Sequence, residues 1–215
     1  MAFQAVIFDL GGVLTKSPVT VIQDAAIALG IPIEVLGDAM SHHVGLWPSY
    51  ERGEIDDTTF VRELEAAVLL AGHTLDGHVF LRDHFFANVE PRPEMIAVAK
   101  ALRPRYKVAA ITNNVGYEGR GQPNTDYYIP FFDHLVESWR VGTRKPDAPI
   151  FHHTCALLGV TPEECVFLDD FGSNLKAAKA LGFTTIKVDA TLSAVEELER
   201  VLGHALQRHS AVRRH

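Results

Sequence analysis

The fold of this 215-residue chain is decided by the stretch Ala5-Val6-Ile7-Phe8-Asp9-Leu10-Gly11-Gly12-Val13-Leu14. Its first four residues form a continuous apolar run, which is typical of a strand buried on both faces of a parallel sheet. The run ends in a carboxylate, Asp9, and the pair Gly11-Gly12 then breaks the strand. Because a carboxylate at the end of a buried strand is costly without a partner, we expect Asp9 to have one.

Three further apolar runs of the same kind follow along the chain, and helical patterns precede or follow each of them. The runs are Val108–Ile111, Val166–Leu168 and Thr185–Val188, and the helical patterns span Pro93–Leu102, Ala148–Leu158, Ser173–Leu181 and Ser193–Leu202. Strands that alternate with helices in this way predict an α/β domain with a mostly parallel sheet.

Residues 17–88, here called the helical insert, do not follow this alternation and instead predict consecutive helices. Ser17-Pro18 is typical of a helix start, Gly30 of a helix end, and Asp57 of a helix cap. Further predicted helices span Ile33–His42, Thr58–Leu70 and Leu75–Phe86.

The sheet pattern resumes near Pro91-Arg92-Pro93, where the two prolines are typical of a hinge or linker. The chain is therefore predicted to form an α/β core domain from residues 1–16 and 89–215. The helical domain of residues 17–88 is inserted just after the first strand of that core.

The composition is that of an ordinary globular protein with a moderately acidic surface. Hydrophobic residues make up 47% of the chain, and the formal net charge is −7 at pH 7. Such a surface argues against a general binder of nucleic acids or of anionic membranes. The sequence shows no signal-peptide pattern and no apolar run that could span a bilayer, and Cys155 and Cys165 match no zinc or redox spacing. We therefore predict a cytoplasmic protein with two buried free thiols.

Polar residues follow three of the predicted strands at the point where each strand ends. The first strand ends in Asp9, the second in Thr112-Asn113-Asn114 and the third in Asp169-Asp170, while Lys145 lies in a turn that opens a helix. Reactive groups of open α/β sheets collect just beyond the carboxyl ends of the strands. Two strands that end in carboxylates indicate a cation between them, and hard oxygen ligands favour Mg²⁺.

Four short motifs follow one another along the chain. They are Asp9-Leu10-Gly11-Gly12-Val13-Leu14, Thr112 at the end of a strand, Lys145-Pro146, and Asp169-Asp170-Phe171-Gly172-Ser173-Asn174. Each motif alone is weak, but in this order they resemble the motifs of the haloacid dehalogenase-like hydrolase superfamily over nearly the whole chain. The resemblance implies a Rossmann-like parallel sheet core with an inserted helical cap domain.

The helical insert is similar to the cap of the subfamily that includes phosphoglycolate and sugar-phosphate phosphatases. The segment Phe167–Asp170, with Asn174-Leu175-Lys176 behind it, resembles the phosphatase domain at the N-terminus of soluble epoxide hydrolases. The resemblance implies a Mg²⁺-dependent phosphatase of a small phosphorylated metabolite. We expect no nucleic-acid or membrane partner, and a monomer or a homodimer.

The resemblance also implies roles for individual residues. Asp9 would be the nucleophile that attacks phosphorus and forms an aspartyl-phosphate. Asp9, the backbone carbonyl of Gly11 and Asp170 would bind Mg²⁺, which neutralises the charges that must approach each other. Lys145 would stabilise the nucleophile and the phosphoryl oxygens.

Four other residues are implied to support this chemistry. The Thr112 hydroxyl and the Asn113 backbone N–H would hold a phosphoryl oxygen, so both are predicted to bind substrate together with Lys145. Asp169 and Asn174 would orient the metal-bound waters and the loop from behind the metal ligands. From the residues alone, Thr112-Asn113-Asn114 is also a common turn composition, and Lys145 is compatible with an ordinary exposed lysine.

Several aromatic residues of the helical insert have two possible roles. Trp47, Tyr50 and Arg52 are candidates for lining a substrate pocket, but packing is the favoured role for Trp47 and Tyr50. Phe85-Phe86 is favoured as part of the core of the helical insert. The polar, Gly-rich segment from Gly116 to Tyr128 is a further candidate for contact with the substrate.

One position departs from the family pattern. The first motif normally has a second Asp two residues after the nucleophile, which protonates the leaving group and then activates water, and here that position is Gly11. Loss of such a general acid and base lowers rates by about 10²–10⁴-fold. The phosphatase hypothesis therefore includes a slow enzyme, a leaving group that needs little protonation, or another acid.

Two other hypotheses stay open. A 2-haloacid dehalogenase also lacks the second Asp, but Asp169-Asp170 has little use in a metal-free site that attracts carboxylate substrates. A non-catalytic member would bind a phosphorylated metabolite or a partner protein without turnover. The joint presence of Asp9, Thr112 and Lys145 with the acidic pair favours the phosphatase.

Overall fold

The structure, a computed structural model, describes residues 2–41, 45–117 and 125–206. At its centre is a parallel sheet of five strands in the order β3-β2-β1-β4-β5. The strands are β1 (Ala5–Phe8), β2 (Lys107–Thr112), β3 (His134–Glu137), β4 (Cys165–Asp169) and β5 (Thr184–Lys187). The predicted α/β fold with a Rossmann-like parallel sheet is confirmed.

Helices surround this sheet. Those of the helical insert are α1 (Pro18–Leu29), α2 (Ile33–Ser41), α3 (Leu46–Glu51), α4 (Asp57–Leu70) and α5 (Gly77–Val79), followed by a π-helix (Phe80–Phe85) and a 3₁₀ turn (Phe86–Asn88). Those of the core are α6 (Pro93–Leu102), α7 (Ser138–Val141), α8 (Ala148–Leu158), α9 (Gly172–Ala180) and α10 (Thr191–Leu202), with 3₁₀ turns at Thr125–Tyr127, Ile129–Phe131 and Pro162–Glu164. In the described ranges, no helix combines the length and the apolar character needed to cross a membrane.

Both faces of the sheet are buried because its strands alternate their side chains between two apolar layers. On one face Val6 and Phe8 of β1 pack with residues of α6 and α10. On the other face Ala5 and Ile7 pack with residues of α8 and with Phe183. Cys155 and Cys165 belong to this second layer as buried free thiols, as the sequence predicted.

The helical insert has an apolar cluster of its own, separate from the two layers of the sheet. Tyr50 and Phe60 stack at its centre with ring centroids 4.4 Å apart, and Phe85 lies in the same cluster. Val115 and Tyr117, which follow β2, also pack into it. The packing role expected for Tyr50 and Phe85 is therefore confirmed.

Two connecting segments run side by side between the sheet and the helical insert. Thr15 and Pro91 form an antiparallel bridge, and the backbone N–H of Lys16 donates to the carbonyl of Glu90 at 2.8 Å. The chain thus leaves and re-enters the core at neighbouring points, near the predicted boundaries at residues 16 and 89. The division into two domains at those residues stays a prediction.

Some local expectations are wrong. The cap of α4 is Asp56 rather than Asp57, because Asp56 has the extended backbone of a cap residue and its carboxylate accepts from the Thr59 N–H at 2.8 Å. The single helix expected over Leu75–Phe86 is instead a short α-helix, a π-helix and a 3₁₀ turn.

Other elements were missed or lie outside the described residues. The edge strand β3 and the short helices α3 and α7 were not predicted, since four to six residues carry too little periodicity for a pattern to register. The expected end of α2 at His42, and residues 118–124 of the segment from Gly116 to Tyr128, lie outside the described residues.

The strand order changes direction at β1. β2 and β3 extend the sheet to one side of β1, while β4 and β5 extend it to the other side. Ligands of open α/β sheets bind beyond the carboxyl ends of the strands at such a reversal. The residues that follow β1 and end β4 therefore meet at the position expected for a functional site.

Candidate active site

Three carboxylates meet where β1 and β4 end. Phe8 of β1 pairs with Leu168 of β4, and the backbone N–H of Asp9 donates to the Leu168 carbonyl at 2.8 Å. This register brings Asp9 beside Asp169 and Asp170, with one carboxylate oxygen from each within 4.8 Å of the others. Asp9 and Asp169 are buried, and Asp170 is partly buried.

Lys145 lies between two of these carboxylates. Its Nζ is 2.7 Å from Oδ1 of Asp9 and 2.8 Å from Oδ2 of Asp169, and its side chain is 1% exposed. Burial lowers the pKa of Lys145, but the charges of Asp9 and Asp169 outweigh it and raise that pKa above its ordinary value. Lys145 is therefore a charged, buried ammonium and not the exposed lysine that the sequence also allowed.

Asp169 is fully committed to its protein neighbours. Its Oδ1 accepts from the Phe171 N–H at 2.7 Å, and its two oxygens accept from Asn174 Nδ2 at 3.1 and 3.0 Å. Its Oδ2 also accepts from Lys145. With both oxygens engaged, Asp169 is suited to hold Lys145 and the start of α9 in place, and is poorly suited to bind a metal.

Asp170 has a carboxylate oxygen to spare. Among the described residues, its buried Oδ1 has no hydrogen-bond partner, and its Oδ2 accepts only a long 3.4 Å bond from the Ser17 hydroxyl. The Ser17 hydroxyl makes no capping bond to α1 and is directed to this carboxylate instead. A buried oxygen without a donor is costly, so it calls for a cation or another donor.

The absence of a side chain at Gly12 leaves space for the Asp170 carboxylate. The φ of Gly12 is +79°, in the left-handed region, and a Cβ atom built on it would lie 2.0 Å from Oδ2 of Asp170. Glycine is thus required at this position for two reasons, the backbone conformation and the close approach of the carboxylate.

The charge of the cluster favours a cation. Three carboxylates face a single ammonium, and burial together with the charges of Asp169 and Asp170 raises the pKa of Asp9 well above its usual range although Lys145 opposes the rise. Burial and the charge of Asp169 also raise the pKa of Asp170. A divalent cation with oxygen ligands would relieve this excess charge. The residues present fit Mg²⁺, with the carboxylates of Asp9 and Asp170 as the available oxygen donors.

Asn113 braces the segment that carries Lys145. Its side-chain Nδ2 donates to the Lys145 carbonyl at 2.9 Å, and its Oδ1 accepts from the Lys145 backbone N–H at 2.8 Å. Sequence reasoning considered only the backbone N–H of Asn113, so this side-chain role was missed. Thr112, buried at the end of β2, lies directly before it.

A cavity of about 340 Å³ opens over this cluster between the sheet edge and the helical insert. Asp9, Gly11, Lys145 and Asn174 lie on its floor side in the core. The helical insert supplies the facing wall, lined by Pro18, Val19, Ile22, Trp47 and Glu51. Trp47 therefore lines a pocket as well as packing in the insert, so the packing interpretation was incomplete.

Two charged residues of the cavity were missed from the sequence. Glu51 of α3, 5% exposed, accepts from Arg144 Nε at 2.6 Å and from Trp47 Nε1 at 2.8 Å. Burial raises the pKa of Glu51, and Arg144 opposes this rise. The pair ties the helical insert to the residue directly before Lys145. The only sequence signal was the i, i+4 spacing of Trp47 and Glu51.

Gly11 is closely covered by Pro18. A Cβ atom at Gly11 would lie 2.9 Å from Cγ and 3.0 Å from Cδ of the Pro18 ring. An acidic side chain at this position would thus start inside the space that Pro18 occupies. The absence of the second Asp and the presence of Pro18 at the start of α1 are parts of one packing arrangement.

Comparison with known proteins places this geometry in a family. Residues 3–182 match the family model described as haloacid dehalogenase-like hydrolase. Acyl-CoA dehydrogenase family member 10 of Mus musculus is 33% identical over 212 residues, which are 95% of this chain and 20% of that protein. Bifunctional epoxide hydrolase 2 of Mus musculus is 30% identical over 218 residues, which cover 94% of this chain and 39% of that protein. The chain thus spans less than half the length of these two relatives.

A relative of similar length and two solved structures complete the comparison. Sesquiterpene phosphatase astK of Aspergillus oryzae is 26% identical, covering 94% of this chain and 97% of that protein. A predicted HAD-like family hydrolase from Porphyromonas gingivalis has a TM-score of 0.71 at 23% identity, over 94% and 98% of the two chains. A HAD family enzyme from Bacteroides thetaiotaomicron, in complex with magnesium and inorganic phosphate, has a TM-score of 0.63 at 18% identity, over 86% and 94%. At these identities the two structures support the fold.

Proposed function

The chain belongs to the haloacid dehalogenase-like hydrolase family, and from this premise we propose that it is a Mg²⁺-dependent phosphatase of a small phosphorylated metabolite. The observation that carries the proposal is that three neighbouring carboxylates have different partners. Asp9 lines the cavity, Asp170 beside it has a buried Oδ1 without a hydrogen-bond partner among the described residues, and Asp169 is occupied in holding Lys145. Relatives described as phosphatases, such as astK, support the same reaction class.

In the proposed reaction Asp9 is the nucleophile. Its Oδ1 accepts from the Leu10 N–H at 2.6 Å and from Lys145 at 2.7 Å, so the carboxylate is held in one orientation before the substrate arrives. A bond forms from Asp9 to phosphorus as the bond from phosphorus to the leaving oxygen breaks. Water then attacks the aspartyl-phosphate, which releases inorganic phosphate and restores the Asp9 carboxylate.

Lys145 and the residues around it position the phosphoryl group. The buried ammonium of Lys145 would attract the phosphoryl oxygens as negative charge develops on them. Thr112 and the backbone N–H of Asn113 lie at the same edge of the sheet and would hold a phosphoryl oxygen. Asp169 and Asn174 keep Lys145 in place and leave its charge directed at Asp9.

Asp9, Asp170 and the backbone carbonyl of Gly11 would hold the metal ion. When bound, Mg²⁺ supplies the positive charge that lets a carboxylate and a phosphate approach each other. The Oδ1 of Asp170, which has no hydrogen-bond partner among residues 2–41, 45–117 and 125–206, fits such a ligand set. Gly11 contributes only backbone, so the lack of a side chain there does not weaken metal binding.

A haloacid dehalogenase is the second candidate among enzymes, and the geometry disfavours it. The cluster of Asp9, Asp169 and Asp170 has more negative charge than Lys145 offsets, and this excess repels a carboxylate substrate. A member that binds phosphate without turnover is the remaining alternative, and the Pro18 ring over Gly11 is the observation in its favour. The two alternatives and the phosphatase make different predictions for one set of assays.

The test is hydrolysis of p-nitrophenyl phosphate with Mg²⁺ and with EDTA. We expect turnover by the wild type with Mg²⁺, none with EDTA, and none by Asp9→Asn in either buffer. Glu94→Gln, which neutralises an exposed carboxylate on α6, is the matched control and keeps wild-type turnover. Chloride release from 2-chloropropionate without metal would establish the dehalogenase instead. Phosphate binding by calorimetry without turnover would establish the binding protein.

A further inference from the structure

The wall of the cavity that faces the nucleophile is mainly apolar, and its charged residues Glu51 and Arg144 are paired with each other. Pro18, Val19 and Ile22 of α1 and Trp47 of α3 line it opposite Asp9 and Lys145. A phosphoryl group held by Lys145 and the metal ligands would place its leaving group toward this wall. Sugar hydroxyls would find few hydrogen-bonding partners there, whereas an apolar leaving group would be desolvated favourably.

The same wall continues beyond the cavity. A second hollow of about 410 Å³ between α1, α2 and α3 shares Val19, Ile22, Trp47 and Arg144 with the first. Its further lining includes Ile33 and Met40. The apolar lining from α1 and α3 therefore extends past the cavity over the nucleophile.

The position of Pro18 also bears on whether the leaving group can be protonated. Glycine offers no acid at position 11, and the Pro18 ring occupies the space in which an acidic side chain there would begin. Glu51, the carboxylate on the insert side of the cavity, accepts from Trp47 and Arg144 through its two oxygens. Burial raises the pKa of Glu51, but both of its oxygens act as acceptors in this geometry, and these two bonds favour the ionised form.

From these two features we infer that the natural substrate is a phosphate monoester of an apolar, phenol-like alcohol, an aryl phosphate. This inference rests on the proposed function and names its substrate class. The bond from Asp9 to phosphorus forms while the ester bond breaks, and the electron pair leaves on the aryl oxygen. The aryloxide is stable enough to depart as an anion and takes its proton from solvent.

Phenyl phosphate and benzyl phosphate form the decisive pair of substrates. Both present the same apolar ring to Ile22 and Trp47, but benzyl phosphate must release a far more basic alkoxide. With Mg²⁺ present, we expect kcat/KM for benzyl phosphate to be about 10²–10⁴-fold lower than kcat/KM for phenyl phosphate. This is the factor that a general acid typically contributes. Glucose 6-phosphate, which is polar and has a basic leaving group, should be slower still.

Two variants test the two features separately. Gly11→Asp combined with Pro18→Ala opens space for an acid and should narrow the gap between phenyl and benzyl phosphate, while Gly11→Asp alone should not. Ile22→Ser should raise KM for phenyl phosphate several-fold. Ile27→Ser, on the same helix but 81% exposed and away from the cavity, is its matched control and should leave KM unchanged.

The outcomes separate this inference from the proposed function. Benzyl or glucose phosphate hydrolysed as fast as phenyl phosphate overturns the inference and leaves the phosphatase intact. An unchanged KM in Ile22→Ser overturns the apolar contact. No hydrolysis of even p-nitrophenyl phosphate with Mg²⁺ overturns the proposed function, and this inference with it.

Discussion

The side-chain amide of Asn113 forms two hydrogen bonds with the backbone of Lys145, one to its carbonyl at 2.9 Å and one from its N–H at 2.8 Å. Thirty-two residues separate the two positions along the chain. The pair fastens the segment of Lys145 to the end of β2, so the ammonium reaches Asp9 and Asp169 from a fixed backbone. Lys145 is held at both its backbone and its Nζ.

Replacing Asn113 with Ala should reduce activity more than stability. Each lost hydrogen bond is worth about 1 kcal/mol, so we expect a stability loss of about 2 kcal/mol and at least a tenfold lower kcat with p-nitrophenyl phosphate. Asn88→Ala also removes two amide bonds to backbone carbonyls and serves as the control. Equal activity losses in the two variants would contradict a specific role for Asn113.

Gly12→Ala should impair metal binding. The new Cβ would lie 2.0 Å from Oδ2 of Asp170 and would displace the carboxylate, whereas the left-handed backbone alone costs about 1–2 kcal/mol. Gly30→Ala has the same strain, with φ +65° and nothing within 4 Å of its Cβ. Both variants should lose similar stability in denaturant titrations. Only Gly12→Ala should lose Mg²⁺ binding in calorimetry, and retained binding would exclude Asp170 as a ligand.

Asp170→Asn should be more stable than the wild type without metal, and Mg²⁺ should stabilise it less than the wild type. With EDTA, removal of one of three crowded carboxylates should raise the free energy of unfolding above that of the wild type. With Mg²⁺ at 100 times its dissociation constant, the wild type should gain about 2.7 kcal/mol and the variant far less. Asp189→Asn, which neutralises an exposed carboxylate, should keep the wild-type gain. Equal gains in all three proteins would place the metal elsewhere.

Glu51→Gln should loosen the helical insert from the core. The substitution removes the charge that accepts from Arg144 at 2.6 Å, and because Arg144 is 23% exposed we expect a loss of about 1–3 kcal/mol. We expect faster amide hydrogen exchange in α3 together with a lower kcat/KM. Glu54→Gln, which removes a more exposed carboxylate paired with Arg52, should cost no more than about 1 kcal/mol. Unchanged exchange in α3 would show that the pair does not hold the helical insert.

The sequence by itself determined four of the five strands of the sheet and the carboxylates that meet at its edge. Ala5–Phe8 and its sister runs are apolar without interruption, and this pattern occurs where both faces of a strand are buried. Asp9, Asp169 and Asp170 could be assigned to one site because the carboxyl ends of parallel strands lie at one edge. These inferences need only local pattern and a general rule of topology.

Only the tertiary structure decided which partner each carboxylate of the site has and which residues pack over the site. Adjacent carboxylates such as Asp169 and Asp170 look alike in sequence, and their tasks differ because one faces Lys145 and the other faces Gly12. The amide of Asn113 on Lys145, the ion pair of Glu51 with Arg144 and the ring of Pro18 over Gly11 are contacts between separate segments. Local propensity carries no record of such contacts, because they depend on how packed elements approach each other in space.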